Sequence, residues 1–127
     1  IVLANQFEFI SRLVLIVVKL RAVQDDFLDV FDGLPDGPIK TAVKEAEKEL
    51  KQDKIIGEHV KKKQIPKYYA TKHNIQILYR YALPNRWRLT YSIMEFEVKG
   101  ELGVLLLELM NHDQYNKRFG YYKKKSA

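Results

Sequence analysis

The chain has 127 residues, 22 Lys plus Arg against 16 Asp plus Glu, no Cys, and 46% apolar side chains. That length supports one globular domain with an ordinary core, and 30% charged residues with six Gly and four Pro exclude disorder and fibrous repeats. The lack of Cys excludes disulfides and thiolate zinc sites. The longest apolar run, Leu13 to Val18, stops at Lys19 and falls far short of the ~20 residues of a bilayer span. No basic leader with an apolar core and a small-residue cleavage site is visible, so an intracellular, cytoplasmic protein without membrane association is expected.

The net charge of +6 is unevenly spread. Ile1 to Glu58 carries 8 basic and 11 acidic residues, whereas His59 to Ala127 carries 14 basic and 5 acidic. A basic half concentrates polyanions at one face and speeds their encounter, although a Lys-rich surface also serves plain solubility.

In chain order, Leu13 to Val18 is a β-branched apolar run bounded by charge, which predicts a strand covered on both faces. Residues 1–12 form an N-terminal extension open to three readings: a longer strand, a separate helical turn, or a translated upstream segment. Residues 13–127 are expected to form the single domain. Asp25 and Asp26 supply capping charge ahead of Phe27, Val30, Phe31 and Leu34, whose spacing predicts a short amphipathic helix. The stretch Gly33 to Pro38 breaks it, and Pro38 suits a first helical position. A second helix follows on the stripe Ile39, Val43, Ala46 and Leu50, ending near Ile55 to Gly57.

After Tyr69 the period becomes alternating. Ile75, Ile77, Tyr79, Tyr81 and Leu83 predict a strand closed by a turn at Pro84-Asn85, and Trp87, Leu89, Tyr91 and Ile93 predict a second. Lys99-Gly100-Glu101 reads as a hairpin tip, leading to a third strand over Gly103 to Met110. The expected fold is α+β: two N-terminal helices on one face of a small, mainly antiparallel, four-stranded sheet in the order β-α-α-β-β-β, with a parallel pairing of the first strand left open. The opposite face is left to Arg80, Arg86 or Arg88 and the flanking segments, and chemistry is expected there.

Candidate contributors to that face are Lys61, Lys62, Lys63, Lys67, Arg80, Arg86, Arg88, His112, Tyr115, Lys117, Arg118, Tyr121 and Tyr122. Guanidiniums bind phosphate bidentately and aromatic rings stack on unpaired bases, a combination suited to single-stranded RNA. Tyr79, Tyr81 and Tyr91 lie on apolar faces and read as core, whereas Tyr68, Tyr69, Tyr115, Tyr121 and Tyr122 lie in segments without that demand. Cleaving RNA through its own 2′-hydroxyl needs a base, an acid and fixed cations, all available from His, Tyr, Lys and Arg. His112 and Tyr115, three residues apart, share a face if the chain is helical there, although a lone histidine is more often a surface or capping residue. No His, Asp or Glu set has metal-ligand spacing, and there is no glycine-rich phosphate loop or nucleophile elbow, so neither a metal nor a cofactor is expected.

The stretch IPKYYATKHNIQILYRYALPNRWRLTYSI, followed by GVLLLELMNHDQYNKRFGYYKK, resembles the C-terminal two thirds of a RelE/ParE superfamily toxin, in its RelE-like, archaeal-type subset. With the earlier elements in order, the resemblance covers residues 13–122. It implies the toxin half of a toxin–antitoxin pair, a ribosome-dependent, metal-independent endoribonuclease that cuts mRNA and inhibits translation. The alternatives within the resemblance are a ParE-like gyrase inhibitor and a catalytically inactive RNA-binding relative. Carried over, Arg80 and Arg88 would neutralise the scissile phosphate, Tyr115 would stack on a base or assist proton transfer, and His112 would be a nearby acid or base. Lys61, Lys62, Lys63 and Lys67 resemble the RNA-gripping segment, and Arg86 and Arg118 are assigned to RNA binding with them. The implied partners are the ribosome, mRNA and a cognate acidic antitoxin peptide covering the basic groove. The His-Asp-Gln-Tyr spacing departs from one branch of the superfamily, so activity does not follow from fold alone.

Overall fold

The computed structural model describes residues 18–98 and 100–121. The class is α+β, but among the described residues the sheet has five strands rather than four, in the spatial order β1-β5-β4-β3-β2. The strands are β1 (Lys19–Ala22), β2 (Glu58–His59), β3 (Tyr79–Ala82), β4 (Arg88–Glu95) and β5 (Leu102–Met110). β2 to β5 form a consecutive antiparallel run, and β1 joins its far edge parallel to β5, with Lys19 opposite Gly103. A parallel neighbour cannot be reached by a tight turn, so the chain leaves β1 through two helical segments that carry it across the sheet to the β2 edge. The extra strand, β2, spans two residues and has no hydrophobic signature of its own, which is why alternation did not reveal it.

The expected strand at Leu13 to Val18 lies outside the described residues except for Val18, and the observed strand begins one residue later. The first predicted helix is present as a π-helical turn, Gln24–Leu28, running into α1 (Asp29–Gly33). The wide turn is closed by the Leu28 N–H donating to Val23 O at 3.0 Å, and the Gln24 side chain donates to Asp29 at 2.7 Å. α2 (Pro38–Lys51) opens on Pro38, as its fixed φ favours, and buries Val43, Ala46 and Leu50. It stops at Lys51, short of the expected Ile55, because Asp53 takes a positive φ of 64°. The strand expected over Ile75 to Leu83 is shorter than its alternation suggested. It pairs from Tyr79, and Ile75 and Leu78 are buried in the loop that leads to it.

The sheet is covered on both faces, the second, expected to be left to arginines and flanking segments, being packed by two short helices from those segments. On one side Phe27, Val43, Ala46 and Leu50 pack against Leu83, Leu89, Tyr91, Val104, Leu106 and Leu109, with Tyr79 and Tyr81 at the margin. On the other, α3 (Lys67–His73) sets Tyr69 into a second cluster with Val60, Ile75, Leu78 and Leu107, and Phe119 of α4 (His112–Phe119) packs beside them. A β-bulge allows this: Thr90 pairs with Glu108 but Tyr91 pairs with Leu106, so Leu107 is the extra residue. Leu107 and Glu108 therefore both meet Tyr69, the first by packing and the second through a hydrogen bond from its hydroxyl.

Polar groups inside this core are satisfied locally. The Tyr91 hydroxyl donates to Ile56 O at 2.7 Å and accepts from Ile56 N at 3.1 Å, and burial pushes its pKa up to about 12. Ser92 donates to Ile77 O at 2.6 Å, and Thr90 to the Tyr69 hydroxyl at 3.2 Å. His73 is different: its Nε2 is buried without a partner, and desolvation holds its pKa below 6.5. The unfolded chain binds that proton first, so stability present above pH 6.5 is lost as pH falls through the depressed folded value. The urea midpoint should therefore decline below pH 6.5, and His73→Gln should flatten that part of the profile. An unchanged profile in the variant would assign the decline to other groups.

Among the described residues no helix is long and apolar enough to cross a membrane.

Candidate functional site

One cross-strand row organises the site: Glu58 of β2, Arg80 of β3, Thr90 of β4 and Glu108 of β5 stand opposite one another in register. Thr90 and Glu108 are buried beneath Tyr69, but towards the β2 edge the row opens into a cleft of about 380 Å³. Its lining is Gly57, Glu58, Arg80, Tyr81, Ala82, Arg88 and Tyr115.

The C-terminal helix supplies the upper wall. Asn111 caps α4 reciprocally with Gln114, each side chain accepting the other's backbone N–H at 2.9 Å, so the chain turns sharply out of β5 and returns over the sheet. Tyr115, one turn into the helix, is thereby brought over the ends of β3 and β4. Gly120 then takes a φ of +74°, and the Tyr121 N–H donates to Asn116 O at 2.8 Å, which folds Tyr121 back beside Tyr115 and Phe119.

Arg80 is held from three sides. Its Nη1 donates to the Tyr115 hydroxyl at 3.0 Å and the Tyr121 hydroxyl at 2.7 Å, and its Nε donates to Glu58 at 2.9 Å. The Phe119 and Tyr121 rings face the guanidinium at 5.3 and 5.8 Å. Burial works against its charge, but Glu58 and the phenols outweigh that and raise its pKa, so it stays cationic throughout the accessible pH range. Arg88 lies 4.9 Å over the Tyr115 ring and donates to Trp87 O at 3.1 Å, with no carboxylate partner among the described residues. Burial pushes the Tyr115 phenol pKa up, against the pull of the two arginines, so the group retains its proton at neutral pH. Glu58, by contrast, is held below the usual carboxylate range by its hydrogen bond from Arg80.

Arg80, Arg88 and Tyr115, separated by up to 35 residues in sequence, thus share one cleft. His112 does not line it; its Nε2 lies 3.2 Å from Asn116 Nδ2 and its Nδ1 is buried without a partner. Lys61, Lys62, Lys63, Lys67 and Arg86 are exposed and stand outside the lining, with no ion pair among the described residues. Arg118 is committed elsewhere. It donates to both oxygens of Glu108 at 3.0 and 2.9 Å and stacks 3.5 Å over Tyr68, which itself donates to Asp26. Tyr69 and Tyr115 are both buried, against the expectation that their segments carried no core demand; Tyr122 lies outside the described residues.

Glu58 was not legible as a site residue. Its one sequence signal is the glycine before it. Gly57 has a φ of +83°, and a Cβ there would stand 2.3 Å from Arg80 O, so the close approach of β2 to β3 depends on the missing side chain. Gly57→Ala should therefore cost about 1–3 kcal/mol and loosen β2 from β3. A denaturant titration checks the first effect, and amide exchange of Glu58 and Arg80 checks the second.

Among the described residues there is no cluster of three His, Asp or Glu placed to hold a metal ion. Compared with known proteins, the chain matches no family model, no curated protein and no solved structure.

Proposed function

We propose that the chain is a toxin of a toxin–antitoxin pair, a ribosome-dependent mRNA endoribonuclease acting in the cytoplasm and using the RNA's own 2′-hydroxyl as nucleophile. The observation that carries this reading is the convergence of Arg80, Arg88 and a protonated Tyr115 on one open cleft. In the reaction the 2′-oxygen forms a bond to phosphorus while the bond to the 5′-oxygen breaks. Two fixed guanidiniums favour the charge that grows on the non-bridging oxygens. Tyr115 accepts from Arg80, which leaves its own proton free for the departing 5′-oxygen. The 2′-hydroxyl proton falls to Glu58, the one carboxylate lining the cleft among the described residues; its hydrogen bond from Arg80 keeps it a weak base, and it becomes a stronger one once a phosphate takes its place on the guanidinium. The exposed lysines from Lys61 to Lys67 supply diffuse attraction for the strand, and the acidic partner of this reading is a peptide that neutralises the same face.

A second reading, a phosphodiester-binding protein without cleavage, is favoured by His112 facing Asn116 instead of the cleft. Primer extension on a defined message, translated in vitro on matched ribosomes with the purified chain, separates the two. New 5′ ends within the A-site codon support the nuclease. Bound but intact message supports the second reading, and neither binding nor cleavage sinks both, leaving gyrase supercoiling as the next activity to assay.

A further inference from the structure

The neutral partners of Arg80 and its charged partner are built differently. A guanidinium offers five N–H groups, and an oxyanion is gripped bidentately along either the Nη1/Nη2 edge or the Nε/Nη2 edge. Tyr115 and Tyr121 occupy Nη1, so the Nε/Nη2 edge is the one left for a ligand, and Glu58 already sits at Nε. The Arg80 side chain is 15% exposed and fixed by the aromatic wall, whereas that of Glu58 is 67% exposed and has solvent to move into. Gly57 makes this placement specific, since any side chain there would meet Arg80 O and drive β2, with Glu58, away.

We propose that Glu58 is the resident anion of the phosphate seat on Arg80: its carboxylate covers the Nε edge until an RNA phosphodiester displaces it. This rests on the reading of the cleft as a phosphodiester site. The arrangement makes the two arginines unequal. Arg88 receives the strand without competition, while Arg80 engages only a phosphate that outcompetes an exposed ion pair, which is a weak interaction. A single-stranded RNA anchored at Arg88 and along the basic half meets that condition, and a small free anion does not. Glu58 is in this respect a specificity-determining residue that selects anchored phosphodiesters over isolated anions.

The test is equilibrium binding of a short single-stranded 2′-O-methyl oligonucleotide, which cannot be cleaved, to the full chain and its variants. Glu58→Gln should tighten binding by about 3- to 10-fold, the range an exposed pair of this kind supports. Glu58→Asp keeps the charge but is one methylene too short to hold Nε, so it should tighten binding as well, and in an Arg80→Ala background neither change should matter. Tightening by Glu58→Gln with wild-type affinity in Glu58→Asp would be a bulk charge effect and would overturn the proposal, as would weaker binding in either variant. If Arg88→Ala weakens binding while Glu58→Gln leaves it unchanged, displacement alone fails. If Arg88→Ala also binds as wild type, the cleft is not the phosphodiester seat and the underlying reading fails with it.

Discussion

Replacing Arg88 with alanine is expected to leave the fold intact and, on the proposed endoribonuclease reading, to lower ribosome-dependent RNA cleavage by about 100- to 1,000-fold, the usual loss when one fixed donor to a developing oxyanion is removed. The fold survives because Arg88 makes one hydrogen bond to a neighbouring carbonyl and one contact with the Tyr115 ring, together about 1 kcal/mol at a partly exposed position. Arg80 is a poorer diagnostic residue, since its removal frees Tyr115, Tyr121 and Glu58 at once. Arg88→Lys should recover part of the lost rate, because an ammonium restores the charge but not the planar, two-pronged contact. The measurement is single-turnover cleavage of programmed message, with thermal unfolding run on the same samples. Cleavage at wild-type rate in a folded Arg88→Ala protein would remove the arginine pair from the mechanism.

The largest effect on stability is expected at Glu108. Its carboxylate, 8% exposed, accepts two hydrogen bonds from Arg118 and one from Tyr69, so it joins β5 to α3 and α4. Removing one partner of such a pair leaves the other charge uncompensated, a change that costs about 3–5 kcal/mol when both groups are fully buried. The Arg118 side chain is 27% exposed and regains water, which reduces the expected loss to roughly 3 kcal/mol or a little less. For a domain of this size that corresponds to a melting point about 10 °C lower, readable by circular dichroism. Glu108→Gln, which retains an acceptor for Tyr69, should lose less. A melting point within a degree or so of wild type for Glu108→Ala would show that α4 is held by its aromatic contacts alone. Because α4 carries Tyr115, the alanine variant should, on the proposed reading, also weaken RNA binding, in proportion to how far the helix departs from the sheet.

Much of the local structure follows from the chain read alone, because it is set by interactions within a few residues. The stripe through Val43, Ala46 and Leu50, with Pro38 ahead of it, specifies α2 whatever it packs against. Alternation around Leu89, Tyr91 and Ile93 specifies β4 for the same reason. Arg80 and Arg88 are candidates as arginines on the polar side of the strands and Tyr115 as an aromatic residue in the basic C-terminal stretch, their roles being what the RelE-like resemblance implies, and all three line one cleft.

What the tertiary structure alone decided depends on register between distant strands. Whether Glu58 faces Arg80 is settled by pairing across 22 residues, and a period-two pattern is blind to which charge stands opposite which. The bulge at Leu107 turns Glu108 against Tyr69 and Arg118, so that Arg118, expected from the sequence to meet RNA, has donors committed to a carboxylate of its own chain. α3 and α4 are too short to declare a buried face by periodicity, so Tyr69 and Tyr115 entered the core without a signal. Composition and spacing determined which elements form and where the positive charge gathers. Packing determined which cations stay free for a ligand, because each carboxylate that folding brings within hydrogen-bond reach of an arginine takes up some of its donors.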